Sequence, residues 1–112
     1  MKKLEIIIRP EKVGVMKAIL SEIGASGASF IGVQGYGSET SEQYIYHGEQ
    51  FFEQIFSKTK VEVIVKDELV DPIINLVVTR ISTGKIGDGR IFVYNVEDAV
   101  RVRTGERGTS SL

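Results

Sequence analysis

The sequence predicts an α+β domain whose elements run in the order βαββαβ, an antiparallel sheet covered on one face by two helices. Three observations predict it. Apolar and polar residues alternate over 3–9, 59–66 and 90–96, as in strands. Apolar residues recur at helical spacing from Val13 to Ile23 and from Leu69 to Ile81. Glycines and prolines punctuate the boundaries between these runs. A chain of 112 residues forms one domain, 1–112, with a thin core that association with further copies would supplement.

The elements follow in order. Leu4, Ile6 and Ile8 alternate with Lys3 and Glu5, and only Ile7 breaks the polar side. Pro10 suits the first position of a helix, where its missing N–H costs nothing. Val13, Met16, Leu20 and Ile23, with Ile19 beside them, make one helical face, and Gly24 and Gly27 bracket its end. Ser29–Gln34 reads as the second strand. Thr59–Lys66 is the third, with Val61, Val63 and Val65 on one face. Asp67 is placed as the cap of a helix through Leu69, Val70, Ile73, Ile74, Val77, Val78 and Ile81; the alternative start has Asp71 as cap and Pro72 at the first position. Arg90–Val96 is the fourth strand, and Glu97–Val100 allows a helical turn. This order is the ferredoxin-like split βαβ arrangement. The uncovered face of the sheet would carry Ile7 and Ile64 among polar neighbours such as Glu62, a mixture suited to a subunit interface.

Between the second and third strands lies a long loop, about 37–57, without a clean period. It carries Glu39, Glu42, Glu49 and Glu53 and the aromatic residues Tyr44, Tyr46, Phe51, Phe52 and Phe56. The acids form either a solvated surface or a match for a basic target. Phe51, Phe52, Ile55 and Phe56 either pack on the body as a short helix or strand or anchor a partner.

Composition excludes several function classes. Fourteen Lys and Arg balance fifteen Asp and Glu, so there is no general attraction to nucleic acid. Without cysteine there is no disulfide frame, thiolate metal site or cysteine nucleophile. The first residues already read as a strand, with no secretory pattern, and no apolar run reaches the roughly 18 residues of a membrane span. These features read as a cytoplasmic protein with no direct membrane insertion.

The chemistry concentrates in Thr83-Gly84-Lys85-Ile86-Gly87-Asp88-Gly89-Arg90, a glycine-rich loop at about 82–90 that leads straight into a strand. Glycines let backbone N–H groups approach an anion closely, and Lys85 and Arg90 add positive charge. A second cationic cluster, Arg101-Val102-Arg103-Thr104-Gly105-Glu106-Arg107, occupies a C-terminal loop at about 101–108. Two basic turns in a chain without excess positive charge point to a polyphosphate ligand. Each cluster alone reads as an ordinary turn or a solvated strand end; together they point to a site. Lys58 and Glu62, taken alone, read as a surface pair, and His47 as a surface residue.

The chain resembles the PII signal-transduction family over essentially its whole length. The resemblance rests on Arg9-Pro10-Glu11-Lys12, Gly35-Tyr36-Gly37, Asp67-Glu68-Leu69-Val70, the block from Thr83 to Val93, and the ending Val100-Arg101-Val102-Arg103-Thr104-Gly105-Glu106. It implies a cytosolic homotrimer that binds ATP or ADP in clefts between neighbouring subunits, and whose long loop engages a target protein such as a transporter or metabolic enzyme. Carried onto this chain, it implies that Gly87, Asp88, Gly89 and Arg90 wrap the phosphates, with Arg9, Gly35 and Gly37 beside them. From the neighbouring subunit, Arg101 and Arg103 would reach the terminal phosphates, and Ser29, Glu62 and Ile64 the adenine and its surroundings. Arg90, Ser29 and Ile64 stand for the family's Lys, Thr and Val, and keep the charge, the hydroxyl and the branched apolar group.

The loop departs from the family pattern. Where the family reads Tyr-Arg-Gly-Ala-Glu-Tyr, this chain has Tyr46-His47-Gly48-Glu49-Gln50-Phe51. Phe51 has no hydroxyl to uridylylate, Glu49 replaces a serine phosphorylated in some members, and His47 replaces the arginine that enters ammonium channels. Tyr44, Tyr46, His47, Phe51 and Phe52 therefore mark a target-binding loop of a different kind. At the place of 2-oxoglutarate and its magnesium ion, Lys58 is retained, but Glu39 replaces Gln and Ser41 replaces Gly. A carboxylate suits magnesium and repels an oxoacid dianion, so these changes favour the nucleotide over 2-oxoglutarate. The alternatives are a nucleotide-metabolising enzyme, phosphoryl transferase or slow ATPase, on the same fold, and an RNA-binding sheet. The first needs a base paired with a nucleophile, and the second needs exposed aromatics on the third strand.

Overall fold

A computed structural model describes residues 1–37 and 55–112 in full and, between them, the backbone of residues 43–46 and 49–52. The element order is β1 (Lys2–Ile8), α1 (Val13–Ile23), β2 (Ser29–Tyr36), β3 (Gln43–Tyr46), β4 (Glu49–Phe52), β5 (Ile55–Val65), α2 (Val70–Arg80) and β6 (Gly89–Asn95). The main sheet has the order β2-β5-β1-β6, and every neighbouring pair in it is antiparallel. This is the expected ferredoxin-like arrangement.

Alternation along the strands sets the two faces. Leu4, Ile6 and Ile8 of β1 and Val61, Val63 and Val65 of β5 are buried on one face. They pack against Met16, Ile19 and Leu20 of α1 and Ile73, Val77 and Ile81 in and after α2. Register reinforces this, because Leu4 pairs with Val63 and Ile6 with both Val61 and Ile91. Truncating any of these large side chains to alanine costs about 2–5 kcal/mol.

Both helices begin with a short 3-10 turn. Pro10 opens the first turn, Pro10–Lys12. Gly24, at φ 78°, closes α1 while its N–H and that of Ala25 return to Leu20 O. The second turn, Asp67–Leu69, precedes α2, so the helical path starts at Asp67 and Pro72 falls within the first turn of α2. Asp67 does not cap it, however. Its carboxylate accepts the N-terminal ammonium of Met1 at 3.0 Å instead.

Three further expectations change. The strands flanking the long loop are longer than their alternation indicates, β2 reaching Tyr36 and β5 starting at Ile55. In β5 Phe56 is buried and Ile55 exposed, so this part of the aromatic cluster packs on the body as strand. Within the loop, β3 and β4 pair as an antiparallel hairpin, Tyr46 opposite Glu49. Finally, Glu97–Val100 forms no helical turn. Val100 bridges instead to Arg107, and Asp98 is held by Arg107 and the Gly108 amide across the C-terminal loop.

The uncovered face is mixed as expected. Glu5 lies opposite Glu62, a repulsive pair relieved by Lys60 and Lys3, whose ammonium groups lie 3.4 and 3.9 Å from the Glu62 carboxylate. The Tyr94 hydroxyl hydrogen-bonds Glu5, which holds that phenol above its ordinary pKa. Ile31, Phe92 and Tyr94 are each about two-fifths or more exposed here.

One contact fixes how β6 enters the sheet. Gly89 pairs with Ile8 at φ 113°, and a Cβ there would lie 1.7 Å from the Ile7 carbonyl oxygen. Gly89→Ala is therefore expected to lower stability by more than about 3 kcal/mol, through left-handed strain and backbone collision together. Gly32→Ala, which meets nothing within 4 Å, should stay within about 0.5 kcal/mol of the parent. Thermal unfolding of the two variants checks the difference.

Candidate nucleotide site

The glycine-rich loop is built around one carboxylate. Asp88 Oδ2 accepts the N–H groups of Thr83 and Gly84 at 2.8 and 2.9 Å and the Ser82 hydroxyl at 3.3 Å. Asp88 Oδ1 accepts the Thr83 hydroxyl at 2.5 Å and faces Arg9 Nε at 3.5 Å. The Thr83 hydroxyl foremost, then these amides, hold the Asp88 carboxyl far below the usual carboxylate range. Arg9 also donates to Ile86 O at 2.9 Å, and Lys58 donates to Gly87 O at 2.5 Å. Lys58 is only 8% exposed, so it is a buried anchor of the loop rather than half of a surface pair with Glu62.

Two carbonyls of the loop, Ile86 O and Gly87 O, thus face cations. Among the described residues, the N–H groups of Ile86 and Gly87 have no hydrogen-bond acceptor, whereas the turn at 86–87 brings the Asp88 N–H back toward Lys85 O. With Gly87 at φ 99° and Gly89 at φ 113°, the loop curls into a concavity. It opens on a cleft of about 540 Å³ walled by Gly35, Gly37, Lys58, Gly87, Asp88, Gly89 and Arg90. Lys85, Ile86, Tyr36, Phe56, Phe92 and Ile7 complete the wall. Lys58, Lys85 and Arg90 make it cationic, since its one described acid is already neutralised.

A second cleft of about 500 Å³ gathers Ser29, Glu62, Ile64 and Arg101 with Lys3 and Gly27. Ser29 and Glu62 meet because they are directly opposed in the β2–β5 register. Arg101 reaches the cleft from the C-terminal loop, where Nη1 contacts Glu106 at 3.1 Å and Nη2 donates to Ser111 O at 3.2 Å. Arg103 lines neither cleft and is exposed on the turn formed by residues 102–104.

The structure brings the sequence-selected residues together as two groups, divided as the family resemblance implies except for Arg103. Arg9, Gly35, Gly37 and Gly87–Arg90 form a cationic, amide-rich half. Ser29, Glu62, Ile64 and Arg101 form a half with a hydroxyl, an acid and an apolar wall. Glu39, His47 and the side chains of Tyr44, Tyr46, Phe51 and Phe52 lie outside the described residues. Sequence reading missed Ser82 and Thr83 as partners of Asp88, and Lys3 in the second cleft. The hydroxyls were visible as a Ser-Thr-Gly turn, but nothing local said which acid they would serve.

Comparison with known proteins gives a consistent result. A family model described as nitrogen regulatory protein P-II matches residues 1–106. Nitrogen regulatory protein P-II of Haemophilus influenzae is 43% identical over 112 residues, covering 100% of both chains. That of Rhodospirillum rubrum is 39% identical, and nitrogen regulatory protein P-II 1 of Escherichia coli 35%, each over the full length of both chains. The structure of GlnK from B. subtilis superposes with a TM-score of 0.81 at 30% identity, covering 99% of this chain and 97% of that one.

Asp88 generates a stability prediction with a definite sign. Its folded pKa is depressed, so its contribution is present in full above the unfolded value of about 3.9 and is lost as pH falls from there toward the folded value. Asp88→Asn should melt several degrees below the parent at neutral pH, and the gap should narrow steadily as pH falls from about 4 to 2. Melting temperatures across that range test it; a gap independent of pH would show that the charge is not what holds the loop.

Proposed function

This chain belongs to the nitrogen regulatory protein P-II family, and on that premise we propose that it is a non-enzymatic signalling protein that binds ATP or ADP across clefts between the subunits of a homotrimer. The observation that carries this reading is the division of the site. One chain presents phosphate-binding amides and cations in one cleft, and base-binding groups with Arg101 in another. Neither half suffices for a nucleotide. Rotation of identical copies about a closed axis sets the first half of one subunit against the second half of the next.

In the assembled site, the amides of Ile86 and Gly87, with Lys85 and Arg90, hold the phosphates. Arg90 brings a planar fork suited to two phosphate oxygens at once. Arg101 and Arg103 of the neighbour reach the terminal phosphates, and Ser29, Glu62 and Ile64 of the neighbour take the adenine. Magnesium would accompany the polyphosphate. Because the Lys58 ammonium is already held by Gly87 O, a 2-oxoglutarate carboxylate at that place must compete with a carbonyl, which supports nucleotide as the main ligand. ATP and ADP make different contacts with the two cationic clusters, and this difference would bias the long loop of residues 37–57 toward or away from a protein target. A phosphoryl-transfer reading is less well supported, because the carboxylate nearest the phosphates, Asp88, is committed to the Ser82–Gly84 turn and is a poor base.

Calorimetric titration should give ATP and ADP affinities in about the micromolar range for the parent. Replacing Arg101 and Arg103 together by Ala should weaken both by more than about a hundredfold, since two charge-assisted contacts are lost. Light scattering should return three times the mass of one chain. A monomer indifferent to adenylates would end this reading.

A further inference from the structure

The C-terminal loop that carries Arg101 and Arg103 is a miniature hairpin with almost no apolar support. Val100 is 53% exposed and Val102 99% exposed. Its shape depends on polar rungs. Gly105 N–H donates to Arg101 O at 2.7 Å, and Arg101 N–H donates to Glu106 O at 2.9 Å. Val100 bridges to Arg107 one rung lower. At the neck, Asp98 ties the two legs together. Its Oδ1 accepts the N–H groups of Ala99 and Gly108 at 2.9 and 3.0 Å, and its Oδ2 accepts Arg107 Nε and Nη2 at 2.8 and 2.7 Å. The Gly108 amide also reaches Ala99 O at 3.0 Å. Gly105 and Gly108, at φ 75° and 73°, supply the bends.

We propose that Asp98 is a positioning residue for the nucleotide site: by closing the neck of the 98–108 hairpin it holds Arg101 and Arg103 where the ligand meets them, without touching the ligand itself. This rests on the nucleotide reading above. The physical basis is preorganisation. A loop without a core samples many shapes unless polar contacts restrict it, and a ligand that must order it binds more weakly. Asp98 supplies both main-chain and ionic contacts at the one place where the legs of the loop separate from the body. Arg107, its ionic partner, is exposed and directs its guanidinium to Asp98, so it belongs to the closure rather than to the ligand set.

The test is a double-mutant cycle on the full chain. ATP affinity is measured by calorimetry for the parent, Asp98→Ala, Arg103→Ala and the double variant. Circular dichroism melting checks that each remains folded. Asp98→Ala should weaken ATP by about tenfold with the melt little changed, because the loop adds little buried surface. In the Arg103→Ala background the same substitution should cost clearly less, since part of what Asp98 positions is already gone. Asp98→Asn, which keeps one acceptor for the amides, should recover part of the loss. Parent-like affinity in Asp98→Ala overturns the inference and leaves the nucleotide reading standing, and so does full additivity with Arg103→Ala. A parent chain that takes up no adenylate overturns both.

Discussion

The glycine-rich loop can lie where it does only because the chain passes the Ile7 carbonyl without a side chain. Gly89 pairs with Ile8 at the end of β1, and any Cβ would strike the Ile7 oxygen. That close approach sets β6 in register at the edge of the sheet and brings Asp88 within reach of Arg9, the residue that follows β1. From there the loop folds back on the Asp88 carboxylate, and its Ile86 and Gly87 carbonyls pair with Arg9 and Lys58. The proposed anion-binding character of the site would thus be a result of backbone packing. Side-chain charge refines it.

Both loops of the proposed site solve the same problem in the same way. Neither has apolar residues with which to bury itself, so each is shaped by an aspartate that accepts main-chain N–H groups and an arginine together. Asp88 does this for the loop of residues 82–89, and Asp98 for the hairpin of residues 98–108. In each case the carboxylate is used internally, which leaves a cationic surface outside even though the chain as a whole is close to neutral, at −1. The overall charge argued correctly against a general polyanion partner. It did not disclose that the acids and bases are sorted this way.

The core was legible because its signals are local. Val61, Val63 and Val65 declare a strand and Met16, Ile19 and Leu20 a helix, through spacing alone. The places where reading failed depend on partners distant in sequence. Asp67 looks like a helix cap, yet its carboxylate meets the amino group of Met1. Glu97–Val100 looks helical, yet Asp98 is held by Arg107 and Gly108. Lys58 looks like a surface cation until the register of β2 against β5 puts it beside Gly35 and under the Gly87 carbonyl. The glycines that wall the first cleft were legible as a local pattern, whereas the alternation of Arg101 and Arg103 misleads, because only Arg101 lines a cleft. The division into two groups entered through the family resemblance alone, because it follows from strand order.

The division also explains why the long loop could respond to a ligand. Tyr36 and Gly37 stand at one root of that loop and Phe56 and Lys58 at the other, and all four wall the cleft beside the glycine-rich loop. Both ends of the loop therefore leave the body from the surface that a polyphosphate would occupy. A ligand that changes the position of Lys58 or Gly87 moves one root against the other through a single hydrogen bond, with no need for a distant relay. Because the second half would come from a neighbouring chain, the same ligand favours the assembled form by mass action. In the function proposed above, nucleotide occupancy, assembly and loop position would be coupled through contacts such as that between Lys58 and Gly87 O. A target that grips the loop must in turn alter nucleotide affinity by an equal factor.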